Sequence, residues 1–429
     1  MRFVIPSIVM MIFTSIYSVV DGLFVSNVVG KTPFAAVNLI MPFLMVFGGI
    51  GFMIGTGGSA VVARTLGMGE RERANRIFSM LVWVATALGA VFAAIGIIFL
   101  RPISIFLGAE GEVIDYCVRY GRIIMAALPA FILQNVFQSF LVTAERPKLG
   151  LYVTVAAGVT NMIGDYLLVA LFRLGVEGAA LATAISQFVG GIIPLVYFIA
   201  PNRSLLRLTK AGLDLRVLLH TCTNGSSEMM SSISSSVVTM LYNTQLLKFA
   251  GEDGVAAFGA IMYVNFFFVA IFIGYAIGSA PIIGFNFGAD NHAELQNIFK
   301  KSVFFNLGSG VLLAASAILL SGTLAGIFVG YDAELKALTT HGFHIYALSF
   351  LFCGLNIFGS SMFTALSNGL VSALISFLRT LVFQLLMVLL LPILFEIEGV
   401  WWSVVAAEVF SLAVTVFFVL KLRPKYEYF

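Results

Sequence analysis

Two aspartates, Asp21 and Asp165, lie inside long apolar stretches of this sequence. A carboxylate at membrane depth costs about 3 kcal/mol or more unless its charge is used or compensated. Two carboxylates close together also resist double ionisation, so such a site can hold either a small cation or a proton. These two residues are therefore the first candidates for chemistry in the chain.

Two further oxygen-bearing side chains accompany them. Asn161 precedes Asp165 by four residues, which places both on one face of a helix. Thr183 lies early in the next apolar stretch, where its hydroxyl could join the site or simply hydrogen-bond a neighbouring helix. Two carboxylates, an amide oxygen and a hydroxyl form a hard-oxygen ligand set that suits Na⁺.

The composition shows what must position these groups. Of 429 residues, 60% are hydrophobic and only 10% are charged, against about 25% in soluble domains. The chain is therefore predicted to be an all-α integral membrane protein. Twelve apolar runs are long enough to cross a bilayer, near residues 3–28, 35–63, 77–100, 116–143, 149–172, 176–199, 217–247, 255–287, 300–329, 337–366, 370–395 and 399–420.

Helical rise predicts that the four polar groups share one layer. Asp21 is 18 residues beyond the start of the first run, roughly 27 Å along a regular helix. Asn161 and Asp165 are 12 and 16 residues into the fifth run, roughly 18 and 24 Å from the same side. Thr183 is about 10 Å from the opposite side, so all four are expected in one half of the bilayer.

An offset of 221 residues aligns the chain with itself over about 150 residues without a change of register. Pairs such as Gly57/Gly278, Gly67/Gly288 and Asn135/Asn356 are identical. We therefore predict two six-helix halves, residues 1–200 and 217–429, related by a pseudo-two-fold axis normal to the membrane and joined by a linker at 201–216. In this register Asp21 aligns with Tyr242 and Asp165 with Leu386, so the second half lacks both carboxylates.

The basic residues indicate the orientation. Sixteen of the 24 lysines and arginines lie in the loops and helix ends on the side that carries both termini. The positive-inside rule then places both termini in the cytoplasm of a cell whose inner (plasma) membrane holds the protein. Within the spans, Glu228 is a further acidic candidate. Arg379 and Glu408 could form a buried pair or flank a cavity, and the pair is the expected arrangement.

On these residues the chain resembles the multidrug and toxic compound extrusion (MATE) family over essentially its whole length. The resemblance rests on the twelve spans in two halves, on Pro6 and Asp21 in the first helix, on the segment 160–168 (TNMIGDYLL) and on the segment 178–183 (GAALAT). It implies export of amphipathic, commonly cationic compounds by alternating access, in exchange for inward Na⁺ or H⁺.

The resemblance also implies roles for particular residues. The cation site would comprise Asp21, Asn161, Asp165 and Thr183, and Pro6 would mark a bend in the first helix. Glu228 stands where some relatives carry a second-half glutamate, but residues 343–365 contain no acid to match the aspartate that accompanies it in those relatives.

Three other functions remain open at this stage. A flippase for lipid-linked or polysaccharide substrates would share the architecture but favours an arginine-rich cavity, and here only Arg379 is central. An intramembrane aspartyl protease could use two aspartates, and a passive channel would need no ion coupling. We expect no cofactor, no metal apart from a possible Na⁺, no nucleic-acid partner and a monomer; the choice between Na⁺ and H⁺, the substrates and the part played by Glu228 stay undecided.

Overall fold

The protein is almost entirely helical. The computed structural model describes residues 2–24, 28–29, 31–330 and 332–429, with the backbone alone for residues 22–24 and 31. The first half contains α1 (Val4–Phe24), α2 (Lys31–Gly67), α3 (Arg71–Phe106), α4 (Glu112–Ala126 with Leu128–Thr143), α5 (Pro147–Leu171) and α6 (Gly175–Ile199). The second half contains α7 (215–250), α8 (252–288), α9 (His292–Val329), α10 (Ala333–Ala365), α11 (369–395) and α12 (397–426).

The described residues thus form the twelve predicted spans in two halves. Two reversals are so tight that the helices on either side are nearly continuous. At Gly251 (φ 63°, ψ −152°) the chain turns from α7 into α8, and at Glu396 (φ 50°, ψ −128°) from α11 into α12. The predicted first span extends to residue 28, and its stretch 25–27 lies outside the described residues.

Polar residues mark several helix starts. The carboxylate of Asp214 accepts hydrogen bonds from the backbone amides of Arg216 and Val217 and so caps α7.

The linker that precedes this cap packs on α3. The backbone amide of Arg207 donates to the side chain of Asn75 at 2.9 Å, and the backbone amide of Thr209 donates to the hydroxyl of Ser79 at 2.8 Å. The linker is therefore an ordered part of the first half's surface.

Glycines let the two halves approach each other closely. Four contacts are related in pairs by the 221-residue offset: Gly57 with Gly225, Gly278 with Val4, Gly67 with Phe285, and Gly288 with Arg64. All of them lie towards the end of the bundle that carries both chain termini, which we call the termini end. The halves are thus packed together at the termini end, and the sequence repeat is a repeat of structure.

Candidate functional site

The four oxygen-bearing side chains predicted from the sequence come together where α1, α5 and α6 meet. Small residues make this approach possible. The α-carbon of Gly158 on α5 faces the rings of Phe13 and Tyr17 on α1, and Gly164 lies against Ala182 of α6. The second contact brings α5 close enough to α6 for the amide of Asn161 to donate to the hydroxyl of Thr183 at 3.4 Å.

Asp21 faces Asp165, Asn161 and Thr183 across this interface. Asp165 is fully buried, with an exposed fraction of 0%, and it opens a stretch of π-helix that runs to Leu171. Such distortions of an α-helix frequently occur at functional sites. We refer to the four residues as the aspartate cluster.

The aspartate cluster is short of hydrogen-bond donors. Both carboxylate oxygens of Asp165, one of Asp21 and the amide oxygen of Asn161 are buried without a hydrogen-bond partner among the described residues. Buried polar atoms almost always have partners, and a buried charge without one is costly. A bound cation or proton would remove that cost, so the donor set fits either ion.

Sequence reasoning missed three residues around this cluster. The phenol of Tyr17 lies beside both Asp21 and the side chain of Gln134 on α4, and Tyr120, also on α4, is buried within electrostatic range of both aspartates. Tyr17 could have been found, because it precedes Asp21 by four residues on the same helix face. No spacing in the sequence indicates that α4 supplies Tyr120 and Gln134.

A second polar network lies in the second half. The guanidinium of Arg379 on α11 donates through Nε to both carboxylate oxygens of Glu408 on α12, at 2.9 and 3.1 Å, and its Nη2 lies 2.9 Å from Glu408 Oε1. Asn356 on α10 donates to the same carboxylate at 2.7 Å and accepts from Thr415 at 3.0 Å. The predicted pairing of Arg379 with Glu408 is therefore confirmed, with Glu408 buried and Arg379 partly buried.

This network lines a cavity of about 550 Å³. Most of the wall comes from α7, α8, α10 and α11, and residues of α1, α2 and α4 close it from the first half. Glu228 lies on the wall, together with the α7 hydroxyls of Ser231, Ser232, Ser235 and Thr239. Glu228 thus belongs to the wall of a cavity that is large enough for a drug-sized molecule.

Pro6 lies in the first turn of α1, which begins at Val4. A proline there removes no intrahelical hydrogen bond, since the amides of the first turn have no partner within the helix. The bend assigned to Pro6 therefore stays a prediction.

Comparisons with known proteins agree with this architecture. The MatE family model matches residues 6–167 and 228–390, one segment in each half. The multidrug export protein MepA of Staphylococcus saprophyticus is 25% identical over 99% of this chain and 94% of its own length, and MepA of Staphylococcus haemolyticus is 24% identical over 99% and 93%. A crystal structure of MATE in complex with MaL6 superposes with a TM-score of 0.94 at 20% identity, covering 99% of this chain and 95% of that one.

Proposed function

Because this chain belongs to the MATE family, whose members are transporters and not enzymes, we propose that it exports amphipathic, mainly cationic organic compounds in exchange for inward Na⁺ or H⁺. The intramembrane protease considered above is thereby set aside. The relatives named as multidrug export proteins support the substrate class. The observation that carries the ion coupling is the aspartate cluster, with its four buried oxygens that have no hydrogen-bond partner among the described residues.

The contacts of α1 suggest how ion binding reaches the rest of the molecule. Its first turns pack on α8 at Gly274 and Gly278, and the hydroxyl of Ser15 donates to the Phe266 carbonyl of α8 at 3.2 Å. Asp21 lies further along the same helix. A cation bound between Asp21 and Asp165 would draw this part of α1 towards α5. This movement of α1 would alter its contacts with α8 of the second half.

In the proposed cycle, a cation from outside loads the aspartate cluster and substrate leaves the cavity. Release of the ion to the cytoplasm then resets the transporter. An ion can drive such a change only if it binds one arrangement more tightly than the other. The packed termini end of this structure corresponds to an arrangement closed towards the cytoplasm, provided that both termini lie there, as the basic residues of the loops predict.

No observation favours the flippase. Among the residues that line the cavity in the described part of the chain, Arg379 is the basic one, and it is held by Glu408. A phosphate-rich substrate would need several unpaired cations.

The test is efflux of a fluorescent cation from proteoliposomes with a Na⁺ gradient or a pH gradient imposed one at a time. Asp21→Asn and Asp165→Asn should each abolish ion-driven efflux, because a neutral amide removes the negative charge that would attract Na⁺ and takes up no proton in this range of pH. Asp253→Asn is the matched control, since Asp253 is exposed near the start of α8. Full efflux by both cluster variants, at normal amounts of protein in the membrane, would refute the proposal.

A further inference from the structure

The aspartate cluster must release its ion to the cytoplasm in the proposed cycle, and two routes lead there. One route follows the boundary between the two halves, which the glycine contacts close at the termini end of this structure. The other route lies inside the first half, between α4, α5 and α6. Buried polar side chains lie along this second route.

Four polar residues continue from the aspartate cluster towards the termini end. Measured along each helix from its end on that side, Gln187 on α6 lies roughly 18 Å deep and Gln134 on α4 roughly 14 Å deep. Thr154 on α5 lies roughly 10 Å deep and Gln138 on α4 roughly 8 Å, whereas Asn161 of the cluster lies roughly 21 Å deep. The four have exposed fractions between 4% and 7%. We refer to them as the polar path.

The polar path begins beside the aspartate cluster. Gln187 follows Thr183 by about one helical turn and therefore shares its face of α6. The side chain of Gln134 lies beside the phenol of Tyr17 and against Gly190 of α6, where an added Cβ would be 2.6 Å from Gln134 Cδ. The missing side chain of Gly190 therefore gives Gln134 its place between the helices.

A small cavity lies further towards the termini end. Its volume is about 10 Å³, and Gln134, Gln138 and Thr154 line it together with Gly150 and Pro194. By this measure one water needs about 10–15 Å³ and two or more polar partners. The cavity therefore has the size and the polar groups to hold a single water.

The polar path has hydrogen-bonding capacity that the helices do not use. The amide oxygens of Gln138 and Gln187 are buried without a hydrogen-bond partner among the described residues. Amides that only joined two helices would bond across the interface, and a buried polar atom without a partner costs free energy. Water or a passing cation would supply the missing partner.

Most of the polar path is particular to the half that carries the aspartate cluster. The 221-residue offset aligns Gln134 with Leu355, Gln138 with Gly359 and Thr154 with Ile375. The fourth position, Gln187, aligns with Glu408, which is engaged by Arg379. The second half thus lacks a continuous set of free polar groups at these positions, as it lacks the two aspartates.

We propose that the polar path conducts the coupling ion through the first half, from the aspartate cluster to the termini end, with a water held in the cavity beside Gln138. Amide and hydroxyl oxygens can replace part of the water shell of Na⁺, and a held water can pass on a proton. The proposal rests on the exchange function proposed above and adds the route of ion release.

Accessibility to Ag⁺ tests the path without an ion gradient. Ag⁺ is a monovalent ion close to Na⁺ in size, and it binds a cysteine thiolate. With Cys117, Cys222 and Cys353 replaced by serine, Thr154→Cys and Gln138→Cys each place a single thiol on the path. Inside-out membrane vesicles in chloride-free buffer would be treated with Ag⁺, unfolded and labelled with a fluorescent maleimide. The loss of label measures the reaction with Ag⁺.

Val136→Cys is the matched control. Val136 lies two residues before Gln138 on α4, has an exposed fraction of 0%, and packs against Gly55 of α2 instead of lining the cavity. We expect Ag⁺ to react with Thr154→Cys and Gln138→Cys about ten-fold faster than with this control. The reason is that an ion entering between apolar side chains finds no polar partners, which costs about that much or more.

A second experiment separates ion release from the other steps of the cycle. Gln138→Leu with Thr154→Val makes the path apolar and nearly keeps its volume. Net efflux driven by the ion gradient should fall about ten-fold. Exchange of labelled for unlabelled substrate requires no release of the ion and should proceed at the wild-type rate.

The proposal is overturned if Ag⁺ reacts with both path variants no faster than with Val136→Cys, or if net efflux and exchange fall together in the apolar double variant. The first result would mean that the ion has no access to the path, and the second that the path has only a structural role. If wild-type efflux does not depend on an ion gradient, the exchange function fails, and the Ag⁺ rates still decide whether the path exists.

Discussion

The glycine contacts at the termini end should determine which arrangement of the two halves is populated. A Cβ added to Gly67 would lie 2.9 Å from the carbonyl carbon of Phe285 and closer still to its oxygen, and one added to Gly288 would lie 2.8 Å from the carbonyl carbon of Arg64. Ordinary van der Waals separation for such a contact begins near 3.4 Å. The obstructing atoms are backbone atoms of α8 and α2, so no side chain can rotate away.

We therefore expect Gly67→Ala with Gly288→Ala to force α2 and α8 apart by about 1 Å or more where they cross, because the carbonyl oxygens are the nearest obstructing atoms. Overpacking of this kind costs roughly 1–3 kcal/mol. Because the cost falls only on the arrangement in which the termini end is packed, the equilibrium should shift towards the other arrangement by about 5- to 150-fold.

Spin labels at Met68 and Ala289 would report the shift. Both residues are exposed at the termini end, and the 221-residue offset relates them. With Cys117, Cys222 and Cys353 replaced by serine, pulsed electron double resonance in nanodiscs should show a longer label-to-label distance in the double variant. Gly259→Ala is the control, because Gly259 lies in α8 with open space where its Cβ would be. If the distance distributions of the double variant and the control coincide, the glycine contacts do not set the equilibrium.

Two further predictions concern stability, which thermal unfolding of the purified protein in detergent would measure. Arg379→Ala should destabilise the fold by about 3–5 kcal/mol, because it leaves Glu408 buried without its cation; an unfolding temperature equal to that of wild type would contradict this. Gly251→Ala should cost roughly 1–3 kcal/mol, since its φ of 63° and ψ of −152° lie in a region open essentially to glycine. Gly259→Ala should be neutral or slightly stabilising, and equal losses in these two glycine variants would show that strain at the α7–α8 turn is unimportant.

Much of the architecture could be predicted from the sequence because the bilayer restricts it. Hydrophobic length alone locates the spans, and the constant offset of 221 residues divides them into two halves. Helical rise was sufficient to predict that Asp21, Asn161, Asp165 and Thr183 lie in one layer, and the structure brings these four side chains into one cluster. Their ion binding stays a prediction until exchange is measured.

What the sequence did not reveal depends on contacts between helices. Helix α4 bends by 55° at Ala127, between its two segments. Nothing in the local pattern indicates that this helix brings Tyr120 and Gln134 to the aspartate cluster. The pairing of Arg379 with Glu408 followed from simple charge complementarity, and the structure also places the pair on the wall of the cavity. Periodicity predicts which face of a helix is buried, and the partner on the other side of that face is a property of the fold.

Each half contains buried carboxylates, and the two halves differ in what compensates them. In the first half, both carboxylate oxygens of Asp165 and one of Asp21 have no hydrogen-bond partner among the described residues, so the proposed cation or proton would supply what they lack. In the second half, Tyr242 replaces the first aspartate, and the buried carboxylate of Glu408 is completed permanently by Arg379. Helix α1 would connect the two sites in the proposed mechanism, because it carries Asp21 and also places Met11 on the wall of the second half's cavity. The proposed coupling through α1 would then require no ion site in the second half.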